Sequence, residues 1–158
     1  MEFYTLGVYE STEEEFFNKL AQNNIDTFLD IRLRRGVRGA KYAFVNSTRL
    51  QEKLANLGID YFHIKDLAPS KEIRQKQKDA DKASSVLKST REKLGCCFIE
   101  AYEGEVLTRF DFNNLFELLR RNNSMKIALF CVEAHPDACH RSLVGNRIIR
   151  FDYPVAHL

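Results

Sequence analysis

The sequence predicts an α/β fold of three layers, in which a mostly parallel central sheet carries helices on both faces. Segments with the content of buried strands alternate with segments whose apolar residues recur at helical spacing. Lys126 to Val132 is an apolar run bounded by polar residues, which is typical of a central parallel strand. We therefore expect strands and helices to alternate within a single domain, residues 1–158.

The amino-terminal part predicts a strand, a helix and a second strand. Phe3 to Tyr9 has the composition of a buried strand, and Ser11 to Glu14 form a capping-box pattern that opens a helix. Asn23 and Asn24 supply a turn into Ile25 to Arg32, which we interpret as the second strand. This order is typical of a layered α/β sheet.

The middle of the chain continues the alternation. Ser47 is placed to cap a helix that ends at Gly58, and Ile59 to Ile64 has the pattern of a short strand. Lys71 to Leu94 is a long polar segment, for which we expect an exposed helix or helix pair. Its few apolar residues are Ile73, Val86, Leu87 and Leu94.

The carboxyl-terminal part begins with a segment whose pattern does not decide its structure. Gly95 to Tyr102 is compatible with a strand or a helix. Asp111 precedes an amphipathic helix, and the strand at Lys126 to Val132 follows it. After a loop, Ala138 to Arg150 shows helical spacing and predicts the last helix.

Composition indicates a cytosolic protein without a membrane segment. No apolar stretch approaches the roughly 18 to 20 residues that span a bilayer, and the first residues lack the pattern of a secretory signal. The four cysteines are too sparse for a disulfide scaffold, so we expect reduced thiols. Cys96 and Cys97 have the pattern of buried core residues. The net charge of +2 does not by itself identify a nucleic-acid partner.

Two segments follow strands and carry candidate functional residues, because ligands of parallel sheets bind beyond the carboxyl ends of strands. The first is Asp30 to Arg32 with the basic loop that follows. Residues 32–49 contain six basic side chains and no acidic one. Arg32 and Arg34, with Asp30 and Asn46, are the candidate anion-binding residues of this segment. Alternatively, the loop is only solvated, and Asp30 anchors loop amides.

The second segment, Cys131 to Arg141, concentrates reactive side chains. Cys139 is expected in the first turn of the last helix, where the helix dipole favours a thiolate nucleophile. His140 is a candidate acid or base, Glu133 a candidate orienting group, and Arg141 a candidate anion clamp. The alternatives are structural: Cys131 as a core residue, His140 packed below the sheet, and Arg141 in an ion pair.

A metal site is a further alternative, although a site without a metal or cofactor is the first interpretation. Cys131, Cys139 and His140 are the expected ligands if zinc or iron is present. Glu133 and His135 are also permitted zinc ligands. The spacing lacks paired CxxC motifs, and Cys131 lies within the predicted strand.

These residues resemble the domain-of-unknown-function family 488, across nearly the whole chain. The resemblance rests on Thr5-Leu6-Gly7, Asp30-Ile31-Arg32, Phe44-Val45-Asn46, Gly58-Ile59-Asp60-Tyr61 and a final Cys-x-Glu-x-x-Pro-x-x-Cys-His-Arg motif at Cys131 to Arg141. The sequence departs from the family pattern at Val8, Tyr9 and Arg35 to Arg38. A weaker likeness to rhodanese-type sulfur transferases rests on the Asp-x-Arg strand and a later cysteine, without their compact cysteine loop. The family's name implies no activity.

Three functions remain open from the sequence. The first is an enzyme acting on an anionic substrate, a nucleotide or nucleic acid, with Cys139 as nucleophile. The second is a non-catalytic nucleic-acid-binding module that uses the basic loop on phosphates and Tyr42 or Phe44 for base stacking. Its phosphate-binding residues would be Arg32, Arg34, Arg35, Arg38 and Lys41. The third is a structural metal-binding protein.

Overall fold

The computed structural model describes residues 1–86 and 91–158 and contains a five-stranded, all-parallel sheet in the order β3-β2-β4-β1-β5. The strands are β1 (Glu2–Leu6), β2 (Thr27–Asp30), β3 (Asp60–His63), β4 (Lys126–Phe130) and β5 (Val155–His157). β4 lies at the centre, between β2 and β1. The prediction of a central parallel strand is therefore confirmed.

Six α-helices connect the strands of the described chain. They are α1 (Glu13–Gln22), α2 (Ser47–Asn56), α3 (Lys71–Ala83), α4 (Cys96–Tyr102), α5 (Phe112–Arg121) and α6 (His140–Ile149). A π-helical segment, Glu103–Leu107, continues α4. The undecided segment 95–102 is therefore largely helical, and the predicted exposed helix is α3. Leu87 lies outside the described residues.

The helices cover both faces of the sheet, so the predicted three-layer α/β class is confirmed. Strand side chains alternate between the faces. Phe28 and Phe130 pack in one buried cluster with residues of α1 and α2. Leu29 and Leu129 belong to a second cluster with residues of α4, α5 and α6. The sheet is thus buried on both sides, which explains the nearly continuous apolar composition of β4.

The chain leaves the neighbouring strands β2 and β4 toward opposite faces. β2 leads into α2, which packs in the first cluster, while β4 leads into α6, which packs in the second. Loops that diverge from adjacent strands leave a crevice at the carboxyl edge of a parallel sheet, where such folds bind ligands. The topology therefore places both candidate segments at one edge.

The strands are shorter than the sequence predicts because backbone groups near their ends leave the ladder. β1 ends at Leu6 rather than Tyr9, since the Val8 and Tyr9 amides both donate to the carbonyl of Val132. β2 starts at Thr27 rather than Ile25, whose amide instead closes the turn after α1 by donating to Leu20.

The helix caps also differ from the prediction. Thr12, not Ser11, is the N-cap of α1, and it forms the capping box with Glu15. α2 begins at Ser47, with Asn46 as its N-cap. The Asn46 side chain does not cap the helix, because it accepts from the Val37 amide at 2.7 Å. In the described parts of the chain, every helix is too short or too polar to cross a membrane.

Candidate functional site

The carboxyl edge of the sheet brings the two candidate segments into contact. His140 Nε2 lies 3.2 Å from the carbonyl oxygen of Ile31, the residue that follows β2. A 3₁₀ turn, Pro136–Ala138, delays the start of α6 to His140, and Cys139 is its N-cap. The sulfur therefore lies just before the helix rather than in its first turn, which corrects the sequence prediction.

Two cysteines and a histidine form a compact buried cluster, which we call the Cys/His cluster (Cys131, Cys139 and His140). The sulfurs of Cys131 and Cys139 each lie 3.8 Å from His140 Nδ1. All three potential ligand atoms lie within 4.8 Å of one another. Cys139 is only 2% exposed, Cys131 6% and His140 7%. A substrate in solution therefore has little direct access to either sulfur.

The orientation of the His140 ring follows from its partners. A carbonyl oxygen only accepts hydrogen bonds, so the Nε2 atom facing Ile31 must carry the proton. Nδ1 is then the ring atom that faces both sulfurs. Tyr102 packs edge-on against the ring, with 5.5 Å between centroids. Nδ1 is thus placed to take a proton from a thiol or, in the neutral ring, to bind a metal ion.

The two sulfurs have opposite pKa shifts. Burial alone raises the pKa of Cys139, but the hydrogen bond with Cys131 and the charges of His140 and Arg141 lower it well below its ordinary value. The pKa of Cys131 is raised by the hydrogen bond with Cys139, then by burial and the nearby negative charge. Cys139 is therefore the more acidic of the two thiols, and Cys131 is the one that holds its proton more strongly.

Arg141 holds the loop between β4 and α6 in place. It is 1% exposed, and its guanidinium donates to the carbonyls of Glu133 and Ala134, the latter at 2.7 Å. Gly7 makes this arrangement possible, because a Cβ atom there would lie 2.0 Å from the Glu133 oxygen. Arg141 therefore binds backbone rather than one of the carboxylates considered from the sequence.

Asp30 and Arg32 form a buried ion pair at the end of β2. Arg32 donates to both Asp30 oxygens, at 2.8 and 2.7 Å, and to the Val45 carbonyl at 3.0 Å. Its guanidinium lies 4.5 Å above the Phe130 ring. Tyr61 also donates to Asp30, and burial followed by the charge of Asp30 raises the pKa of Tyr61 to about 12. The pair anchors the start of the basic loop.

A family model described as domain of unknown function DUF488 matches residues 12–148 of this chain. The chain belongs to this family. No curated protein and no solved structure matches the DUF488 chain. Three of the motifs that carried the resemblance meet at one place in the fold, since Gly7 packs on Glu133 and His140 contacts Ile31.

The basic loop of the DUF488 chain is fixed to its surroundings, and Arg35 also forms a side-chain hydrogen bond with Tyr61. Val37 donates to Asn46 Oδ1, and the Ser47 amide donates to the Arg35 carbonyl at 2.8 Å. The Asn46 side chain thus holds the loop in place through a hydrogen bond to its backbone. The exposed basic side chains of the loop before α2 are Arg34, Arg35, Arg38 and Lys41, and Arg49 is exposed on α2 itself.

Sequence reasoning missed residues from distant segments that lie near the Cys/His cluster of the DUF488 chain. Arg91 forms ion pairs with Asp81 at 2.8 Å and with Glu133 at 3.6 Å, and donates to the Ala138 carbonyl. Glu133 thus lies against Arg91. No local pattern indicates Arg91 or Tyr102, because both are brought to the site by tertiary packing.

The cysteines of the DUF488 chain fall into two pairs. Cys131 and Cys139 are buried, whereas Cys96 and Cys97 at the start of α4 are exposed. The prediction that Cys96 and Cys97 fill the core is wrong, because the core-facing residues of α4 are Phe98 and Tyr102. All four thiols are free, as expected.

Proposed function

We propose that this DUF488 protein is an enzyme that acts on an anionic, phosphate-bearing substrate at the carboxyl edge of its sheet. The observation that carries the proposal is the 3.2 Å contact between His140 Nε2 and the Ile31 carbonyl. It joins the buried Cys/His cluster to the strand end from which the basic loop departs. The reactive groups and the basic loop therefore adjoin the same edge of the sheet, the edge at which parallel sheets bind ligands.

The charge of the loop supports an anionic substrate. Arg34, Arg35, Arg38 and Lys41 form no ion pair with any other described residue. Uncompensated cations around a crevice raise the local concentration of anions. Arginine in particular binds phosphate through two parallel hydrogen bonds.

The predicted site residues have different roles in the proposed enzyme. Cys139 and His140 carry the chemistry, with Cys131 beside them, and Arg34 with its exposed neighbours binds the substrate. Asp30, Arg32 and Asn46 position the loop through their buried contacts. Arg141 and Glu133 position the loop after β4. Direct anion binding by Arg32 or Arg141 stays a prediction.

A panel of phosphate compounds tests this function. Turnover is measured with a phosphate monoester, a phosphodiester, nucleoside triphosphates and a labelled single-stranded oligonucleotide. Cys139→Ser is expected to lower kcat by at least about 100-fold while binding is kept. Replacing Arg34, Arg35 and Arg38 with Ala is expected to raise KM with little change in kcat, since these side chains bind the substrate before and during reaction.

The matched control is a second triple variant, which loses the same number of positive charges at the opposite edge of the sheet. Arg120, Arg121 and Arg150 are exposed and lie near the carboxyl ends of α5 and α6, so their replacement with Ala should leave turnover unchanged. Turnover that survives Cys139→Ser at full rate would reject the assignment of the chemistry to the Cys/His cluster.

A non-catalytic nucleic-acid-binding module is the second candidate, and the exposed loop favours it. Binding without turnover on any of these compounds would support it over the enzyme. For a single strand, each side chain that neutralises a phosphate contributes about 0.7 to the slope of log affinity against log salt. The triple loop variant would then reduce the slope by about 2, whereas Cys139→Ser would leave it unchanged.

A further inference from the structure

We infer that Cys131, Cys139 and His140 are three ligands of one divalent metal ion of the zinc class, with a fourth position left open. This inference deepens the proposed function, and the role of the open position rests on it. The binding of the ion itself depends only on the geometry of the three side chains.

The separations of the three ligand atoms suit a tetrahedral ion. With zinc–sulfur bonds of about 2.3 Å and zinc–nitrogen bonds of about 2.0 Å, tetrahedral angles place neighbouring ligand atoms about 3.5 to 3.8 Å apart. Both sulfurs lie 3.8 Å from His140 Nδ1, and no pair in the group exceeds 4.8 Å. Small side-chain movements therefore bring all three atoms to bonding distance.

The histidine has the additional hydrogen bond that metal-binding histidines usually have. Such a ring donates its other N–H to a carbonyl or carboxylate, which fixes the tautomer and aims the free nitrogen at the metal. Here His140 Nε2 faces the Ile31 carbonyl, and Nδ1 faces the sulfurs. The carbonyl of Ile31 thus fixes the tautomer and the orientation of the His140 ring, so that Nδ1 faces the metal position without a bound ion.

Burial favours a metal centre over a free nucleophile. A nucleophilic sulfur must reach its substrate, yet Cys139 is 2% exposed and packs in the apolar cluster with Leu143 and Tyr102. A metal ion needs only its open position to be reached. Two thiolates and one dication also sum to zero charge, which lowers the cost of burying these groups.

The type of ligand limits the type of ion. Two thiolates and an imidazole favour zinc and related transition metals over magnesium or calcium, which prefer oxygen ligands. Among the described residues, no fourth Cys, His, Asp or Glu joins the group. Three protein ligands with one open position are typical of catalytic rather than structural zinc sites. The open position would take a water molecule or an oxygen of the anionic substrate.

Cobalt binding to the reduced, metal-free protein tests the inference without any activity assay. Cobalt is expected to bind with one equivalent per chain and to give thiolate charge-transfer bands together with the intense visible bands of a tetrahedral site. Zinc should displace it. Removing a group that merely orients a ligand already weakens metal binding by about 10- to 100-fold. Cys131→Ser, Cys139→Ser and His140→Gln, which remove ligands, should therefore each weaken it by more than about 100-fold.

The exposed cysteine pair supplies the matched control. Cys96→Ser with Cys97→Ser removes two thiols outside the cluster and should leave the spectrum and stoichiometry unchanged. Circular dichroism of each variant separates loss of the site from loss of the fold, and the wild-type titration alone remains decisive if a variant unfolds. Wild-type protein without charge-transfer bands, or bands that vanish in the control variant, would overturn the inference.

The proposals of a metal site and of an enzyme can be rejected independently of each other. Phosphate turnover by wild-type protein that binds no cobalt would reject the metal site and leave the proposed enzyme standing. One equivalent of cobalt at the three ligands, combined with neither turnover nor binding of any phosphate compound, would leave the metal site standing and reject the proposed enzyme.

Discussion

At the scale of single residues, Gly7 controls how closely the end of β1 approaches the loop after β4. An added Cβ would lie 2.0 Å from the Glu133 oxygen and 3.1 Å from Arg141 Nη1. We predict that Gly7→Ala lowers the free energy of unfolding by about 1 to 3 kcal/mol, because backbone must move to relieve the overlap. Urea denaturation measures this loss.

The control for this variant is Gly104→Ala. Apart from its chain neighbours and the backbone of its own helix, no atom of the described residues lies within 4 Å of the Cβ position at Gly104. This substitution is therefore expected to be neutral or to stabilise the protein by up to about 1 kcal/mol through reduced freedom of the unfolded chain. Equal stability of the two alanine variants would contradict the steric explanation.

The sequence alone named the residues of the candidate site, but it did not reveal most of their partners. Cys131, Cys139 and His140 were considered together because they are close along the chain. Arg32 also follows Asp30 closely, yet no pattern reveals that their side chains pair. The hydrogen-bond partners of Arg141 could not be predicted either, because its carbonyl partners depend on how the loop folds back toward Gly7.

At the scale of elements, the start of α1 depends on the hydroxyl of Thr12 rather than on that of Ser11. Thr12 Oγ1 accepts from the Glu15 amide at 3.2 Å, and Glu15 accepts from the Thr12 amide at 2.7 Å. We predict that Thr12→Ala destabilises the protein by about 1 kcal/mol, because the side-chain half of this reciprocal cap is removed. Chemical denaturation is the measurement.

Ser11→Ala is the neighbouring control and should change stability by less than about 0.5 kcal/mol. A larger effect at Ser11 than at Thr12 would place the helix start one residue earlier. The capping-box pattern cannot separate the two positions, because Ser11 and Thr12 are each followed three residues later by Glu.

Elements with strong periodicity could be predicted, whereas short segments depended on tertiary context. The helix after Asp111 and the strand β4 follow directly from their apolar patterns. Gly95 to Tyr102 was ambiguous because a short apolar run suits a strand as well as a helix. Packing of Phe98 and Tyr102 into the second buried cluster decides in favour of the helix.

At the scale of the whole molecule, the alternation of strands and helices predicts the α/β class but not the order of the strands. The order β3-β2-β4-β1-β5 inserts β4 between two strands from the first part of the chain. Such long-range pairing leaves no local pattern. It nevertheless joins the two candidate segments, because it brings the end of β4 beside the end of β2.

The inferred metal site has a consequence for the stability of the whole fold. Its ligands join the end of β4 to the start of α6, and an ion that binds only the folded state stabilises it by mass action. At a free ion concentration 1,000-fold above Kd, the gain is about 4 kcal/mol. For a chain of this size, each kcal/mol raises Tm by about 2 to 4 °C, so zinc is expected to raise Tm by about 10 °C relative to protein treated with a chelator. Thermal melts over a range of zinc concentrations measure the shift. Cys139→Ser should abolish it, whereas Cys97→Ser should retain it, and a wild-type Tm independent of zinc concentration would contradict the metal-linked account of this fold.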